Sequence, residues 1–161
     1  MRISIIGQSA FGKSVLEALA ANDVDDIVGV FAPPTREGRP DDPISEAART
    51  LNVPVFGFKR LRDEEAITQF KMVKPELCIM AFVTDIVPME MINYPVLGTI
   101  QYHPSLLPLH RGPSSINWPI INGESSTGLT IFWPDNGLDT GPVLMQKEVE
   151  ITTKETLGDL Y

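Results

Sequence analysis

Short apolar runs of strand length alternate with longer amphipathic ones along the first eighty residues of this chain. Ile3 to Ile6 is apolar but for Ser4 and stops at Gly7, which predicts a buried strand. From Phe11 to Ala21 the apolar residues Phe11, Val15 and Leu19 recur on one face of a helix. Ile27 to Phe31 is the next strand, followed by the polar loop PPTREGRPDDP. Ser45 to Leu51 reads as helix, Val53 to Phe58 as strand, Asp63 to Val73 as helix and Leu77 to Phe82 as strand. This alternation predicts an α/β fold, Rossmann-like and doubly wound, with a mainly parallel sheet and helices on both faces. In such sheets ligands bind beyond the carboxyl ends of the strands.

The second half is less regular. Gly98 to His103 is a strand that ends on a histidine, Ser114 to Ile121 a short helix, Leu129 to Trp133 a strand, and Val143 to Ile151 an edge or hairpin strand. TKETLGDLY starts a helix that Thr153 is placed to cap. That helix has barely two turns, so a further C-terminal piece of the same domain is expected. No repeat, linker or low-complexity tract interrupts residues 1–161, which fit one domain.

Composition narrows the function classes. A net charge of −8 argues against a dedicated nucleic-acid binder, which carries a basic patch. The single cysteine, Cys78, lies in the apolar run LCIMAF and reads as an inert core residue. With no internal disulfide, no signal-length apolar N-terminus and no membrane-length run, the chain is expected in the cytoplasm.

Two motifs carry candidate chemistry. GQSAFGKS, from Gly7 to Ser14, matches the phosphate-loop pattern after a strand and before a helix. In a nucleotide-binding protein its amides would cradle phosphates, Lys13 would reach them and Ser14 would hold magnesium. The plainer reading is a tight first turn of a Rossmann-like sheet, with the glycines serving chain geometry and Lys13 solvated. The second motif is the pair of loops HPSLLPLHRG and DNGLDTG. Only two histidines occur in the chain, His103 and His110, and both lie in the first loop, with Asp139 in the second. A histidine and an aspartate on connecting segments make an acid/base pair where chemistry resides. Singly, His103 also reads as a hydrogen-bonded strand-end histidine and Asp139 as a turn aspartate.

HPSLLPLHRG resembles the SLLP signature of the folate-dependent formyltransferases, and GLDTG resembles their second catalytic loop. The resemblance runs over nearly the whole chain. GQSAFG, IVPMEMI, SINW and IFWPDNGLDTG are most similar to the branch formed by the hydrolase domain of 10-formyltetrahydrofolate dehydrogenase, with methionyl-tRNA formyltransferase related. The resemblance implies the formyltransferase fold and formyl-group chemistry on 10-formyltetrahydrofolate as donor substrate, without a metal. The outcome is hydrolysis to formate and tetrahydrofolate, or transfer to an amine, either a small molecule or an aminoacyl-tRNA. A catalytically weak folate-binding module is a further reading. No membrane partner is implied, and oligomeric state is not legible.

By the same resemblance, His103 is the donor to the tetrahedral oxyanion and the proton carrier, and Asp139 is its charge partner and also meets the folate. Gln101 departs from the family, whose transferases place asparagine there. Its amide is one methylene further out, so it works from a shifted backbone, points away, or meets another acceptor. Backbone groups of Asp85, Ile86 and Val87 are expected to hold the pterin, and Asp85 is also expected to cap the helix near Pro88. His110 has no paired acid in its motif and is expected to be solvated. Arg111 and Gly112 are expected to fix the turn, while Trp118 and Trp133 read as core or pocket-wall aromatics.

Overall fold

The alternating pattern of the first hundred residues becomes four parallel strands with helices on two faces. The computed structural model describes residues 1–22 and 24–161, in two units, Met1–Ile100 and Gln101–Tyr161. In the first unit the strands are β1 (Arg2–Gly7), β2 (Asp26–Ala32), β3 (Val55–Gly57) and β4 (Leu77–Ala81), in the hydrogen-bonded order β3-β2-β1-β4. All three pairings are parallel. The helices are α1 (Ser9–Ala21), α2 (Pro43–Thr50), α3 (Glu64–Met72) and α4 (Met89–Ile92).

Strand alternation divides the core in two, because successive side chains point to opposite faces. Ile3, Ile5, Val30, Ala32 and Ala81 pack with Leu16 of α1 and Ile44, Ala47 and Ala48 of α2. Their strand neighbours Ile6, Phe31, Cys78 and Met80 pack with Phe70 of α3 and Met91 and Ile92 of α4. Phe31 also meets the rings of Phe56 and Phe70, at 5.0 and 5.3 Å between centroids. The doubly wound, parallel architecture expected from the pattern is therefore present in this unit. The chain winds outward from β1 to β3 and returns to β4 on the other side of β1. That reversal puts the carboxyl ends of β1 and β4 side by side, the usual place for a ligand crevice.

β5 (Thr99–His103) carries the chain into the second unit, where antiparallel pairing takes over. Its residues Gln101, Tyr102 and His103 pair with Phe132, Ile131 and Thr130 of β6 (Ser126–Phe132). β6 then pairs antiparallel with β7 (Val143–Glu150), every residue of which is exposed. The short helices are α5 (Asn117–Ile121) and α6 (Leu157–Leu160). Among the described residues no helix is long and apolar enough to cross a membrane.

Three expectations are corrected. β6 starts at Ser126, earlier than Leu129, because Ser126, Thr127 and Gly128 pair with Glu150, Val149 and Glu148. The last helix is capped by Thr156 and not Thr153: Thr156 and Asp159 bond each other's backbone in a reciprocal capping box. Of the two readings for Trp118 and Trp133, core or pocket wall, the core one falls, since they are 49% and 37% exposed.

Candidate active site

The phosphate-loop match does not build a phosphate cradle. Helix α1 starts at Ser9, so Gly12, Lys13 and Ser14 already lie inside it. Ser14 Oγ donates to the Ala10 carbonyl, and Lys13 faces Glu17 one turn on. The glycines serve packing: a Cβ on Gly7 would sit 2.6 Å from the Ala81 oxygen, and one on Gly12 3.2 Å from Ile44 Cδ1. The plainer reading of the motif holds.

At the carboxyl ends of β1, β2 and β4 the first unit has a cavity of about 710 Å³. Phe31, Phe58, Phe82 and Val83 supply apolar wall, and Gln8, Arg36, Lys59 and Asp85 supply polar groups. Gln8 closes one side, its amide donating to Thr84 Oγ1 at 3.1 Å. Asp85 does not cap α4, whose preceding residue is Pro88. Its carboxylate accepts from Leu61 N at 2.7 Å and Ile86 N at 2.8 Å, which fixes the loop after β4. Val87 is buried in the core and Ile86 is 70% exposed.

The second unit brings His103 and Asp139 together. Nδ1 of His103 lies 3.5 Å from Asp139 Oδ2, and both side chains are under one tenth exposed. His103 Nε2 lies 2.9 Å from the His110 carbonyl, an oxygen that only accepts, so Nε2 carries a hydrogen and donates it. The ring is thus held with Nδ1 toward the carboxylate. Gln101 shares the strand face of His103 two residues upstream, half-buried, and its amide has no hydrogen bond among the described residues.

Asp139 is held from several sides in the left-handed backbone region, at φ 51°. Gly112 N donates to its Oδ2 at 2.7 Å, and Arg111 Nε donates to its carbonyl at 3.0 Å. Arg111 and Gly112 therefore fix a turn, as expected, and tie it to the second loop. Within that loop Asp135 accepts from Gly137 N at 2.9 Å and Thr140 Oγ1 at 2.6 Å, and the Thr140 bond first of all holds the Asp135 carboxyl below the usual range. The bounding glycines allow close approach, of backbone at Gly141 and of a side chain at Gly137. A Cβ on Gly141 would overlap the Trp133 carbonyl, and one on Gly137 would overlap the Thr140 side chain.

Several contributors had no signal in the motifs. Thr130, opposite His103 on β6 and fully buried, donates to Ser105 O at 2.6 Å and accepts from Leu107 N at 3.1 Å. Gln146 of β7 donates to Leu107 O at 2.8 Å and to Thr130 Oγ1 at 2.9 Å. These bonds clamp the loop whose Leu107–Pro108 peptide is cis. His110 is not solvated: its Nε2 is 3.0 Å from both carboxylate oxygens of Glu124, which also accepts from Asn122 Nδ2. Asn122 first, then His110, hold the Glu124 carboxyl below its ordinary value. No cluster of three or more histidine, cysteine or acidic groups suited to a metal occurs among the described residues.

A family model described as Formyl transferase matches residues 1–161. The chain belongs to the formyl transferase family. It is 43% identical to the cytosolic 10-formyltetrahydrofolate dehydrogenase of Mus musculus over 166 aligned positions, covering all of this chain and 18% of that protein. It is 39% identical to the methionyl-tRNA formyltransferase of Alkaliphilus oremlandii, covering all of this chain and 53% of that one. The chain thus spans under a fifth of the dehydrogenases it matches and about half of that transferase. In fold it is similar to a phosphoribosylglycinamide formyltransferase from Bacillus halodurans, with a TM-score of 0.84, 22% identity, and coverage of 99% of this chain and 85% of that one. A formyltetrahydrofolate deformylase from Pseudomonas syringae shares the fold with a TM-score of 0.82 at 17% identity, covering 99% of this chain and 54% of that one. Membership in this family accords with the resemblance carried by the SLLP and GLDTG segments.

Proposed function

We propose that this formyl transferase family chain acts on 10-formyltetrahydrofolate, moving its formyl group to water or to an amine. The observation that carries the reading is the buried His103–Asp139 pair, with the imidazole oriented by the bond from Nε2 to the His110 carbonyl. A nucleophile adding to the formyl carbon creates an oxyanion, which needs a donor aimed at it. His103 Nδ1, protonated, donates to that oxygen and is balanced by Asp139. The carboxylate takes the proton of the attacking water or amine, and the proton passes to N10 as the C–N10 bond breaks. The products are tetrahydrofolate with formate, or with the formamide of the amine.

Gln101 is the second oxyanion donor in this reading, supported by its strand face and its uncommitted amide. Its extra methylene relative to asparagine shifts the donor by about 1 Å, a displacement able to change rates on the order of a hundredfold. Gln101 is therefore the position that sets the balance between the two acceptors. The pterin is assigned to the backbone of Asp85, Ile86 and Val87. The carboxylate of Asp85 is engaged with Leu61 N and Ile86 N, so it shapes this loop and leaves contact with the ligand to its backbone groups other than the Ile86 N–H.

The test is incubation with 10-formyltetrahydrofolate, following formate and tetrahydrofolate with and without candidate amines. His103→Ala and Asp139→Asn are each expected to lower turnover by at least a hundredfold while folate binding by calorimetry changes little. Binding without any turnover in the unaltered protein would identify a folate-binding module. Neither binding nor turnover would remove folate from the reading altogether.

A further inference from the structure

His103 is oriented by a carbonyl, and that carbonyl belongs to the only other histidine of the chain. The His110 backbone sits in the left-handed region, at φ 51°, a conformation that persists only where the surroundings hold it. What holds it is visible. The His110 ring is 3.0 Å from the Glu124 carboxylate, which follows α5, and Asn122 Nδ2 donates to the same carboxylate at 3.0 Å. One residue upstream, the Leu109 carbonyl accepts from Ser105 Oγ at 2.7 Å. One residue downstream, Arg111 reaches the Asp139 carbonyl. The His110 ring, Glu124 and Ser126 also line a pocket of about 410 Å³, so the pair is reachable from solvent while the His110 carbonyl points at the buried His103.

We infer that His110 and Glu124 form a positioning device: their side-chain pair anchors the loop so that the His110 carbonyl fixes the tautomer and aim of His103. This rests on the folate reading for its kinetic consequence, but its structural half stands apart from it. Neither side chain touches the reacting atoms. They act through a single backbone oxygen, and an ångström of movement there lets the imidazole turn away from Asp139. The loss belongs to the rate of the chemical step and not to folate affinity.

Two histidines make the test direct, because imidazole nitrogen signals in nitrogen-15 NMR reduce to His103 and His110 and are assigned by His110→Ala. In the unaltered protein His103 Nε2, bonded to the His110 carbonyl, is expected to show a slowly exchanging, downfield proton. In Glu124→Ala and His110→Ala that proton is expected to exchange at least tenfold faster and to move upfield. Turnover of 10-formyltetrahydrofolate is expected to fall about tenfold in kcat with KM within twofold. Glu124→Gln and His110→Gln, which keep a hydrogen bond between the two positions, are expected to recover most of both. Unchanged His103 signals in a folded Glu124→Ala protein would overturn the inference, as would a lowered melting temperature with those signals intact. If the unaltered protein turns over no folate, the formyl reading fails and the NMR comparison still decides the positioning role.

Discussion

At the scale of single residues, the site depends on a threonine that no motif marks. Thr130 uses one hydroxyl to donate to Ser105 and to accept from both Leu107 and Gln146. Valine has nearly the same shape, so Thr130→Val removes the hydrogen bonds and little else. Leu107 N–H and Ser105 C=O would then be left without their partner, and an orphaned buried polar group costs about 1–3 kcal/mol. Urea unfolding is expected to show Thr130→Val less stable by about 2–4 kcal/mol. Turnover should fall with it, since the loop that follows His103 is what these bonds hold. A stability within 0.5 kcal/mol of the unaltered protein, roughly the scatter of surface substitutions, would mean the clamp is redundant. His103 and Asp139 were legible because a scarce imidazole in a Pro/Gly-rich loop is conspicuous. Thr130 was not, because its register against His103 is set by the pairing of β5 with β6, and the LTIFW segment reads only as strand. Glu124 escaped for a related reason: it meets His110 from 14 positions along the chain, beyond any local spacing rule.

At the scale of elements, what the residue pattern announced best was the interior of strands and helices. Ile3–Ile6, Ile27–Phe31 and Leu77–Phe82 have the apolar density of strands buried on both faces, and all three form strands of the parallel sheet, the last only as far as Ala81. Ends were harder, since they depend on caps and partners. Asp42 is the instructive cap: its Oδ1 accepts from Ile44 N at 3.1 Å to start α2 and from Ser9 N at 2.8 Å to start α1. The second bond crosses 33 positions and holds Ser9 at φ 61°, where the first turn after β1 begins. Asp42→Ala therefore removes two bonds at two helix starts. An N-cap alone contributes about 1 kcal/mol, so the loss is expected near 2 kcal/mol by denaturant unfolding. Loss confined to 0.5 kcal/mol would show that water replaces the carboxylate at both ends.

At the scale of the whole molecule, the two sides of the pH range are governed by different groups. Exposed or half-buried carboxyls whose values are lowered, Asp41 by Thr35, Asp135 by Thr140, Asp159 by Thr156 and Glu124 by Asn122, add stability above the ordinary carboxylate range. That stability is lost as pH falls through their folded values. Each is at the surface and screened, so the acid limb should be shallow. On the alkaline side the Met1 ammonium, raised by its bond to Asp25, loses its contribution as pH rises, and burial adds a second source. Cys78 is fully buried in the core cluster that also holds Phe31, Phe70 and Met91, and burial, only partly offset by Ser4 and Thr99, pushes its thiol up to about 12. Burial also raises Tyr102. Above about pH 8.5, an ordinary thiol value, an unfolded chain releases the Cys78 proton that the folded chain keeps. The unfolded state then binds fewer protons, so stability declines as pH rises, by up to about 1.4 kcal/mol per pH unit for this one group. Cys78→Ala costs stability at neutral pH, since it leaves a small void, but it removes that proton. The stability gap between the two proteins, from urea unfolding, is therefore expected to narrow by roughly 1–2 kcal/mol between pH 8 and pH 10. A gap that stays constant over that interval would mean the thiolate forms as readily in the folded protein as in the unfolded chain, which a sealed apolar core does not permit.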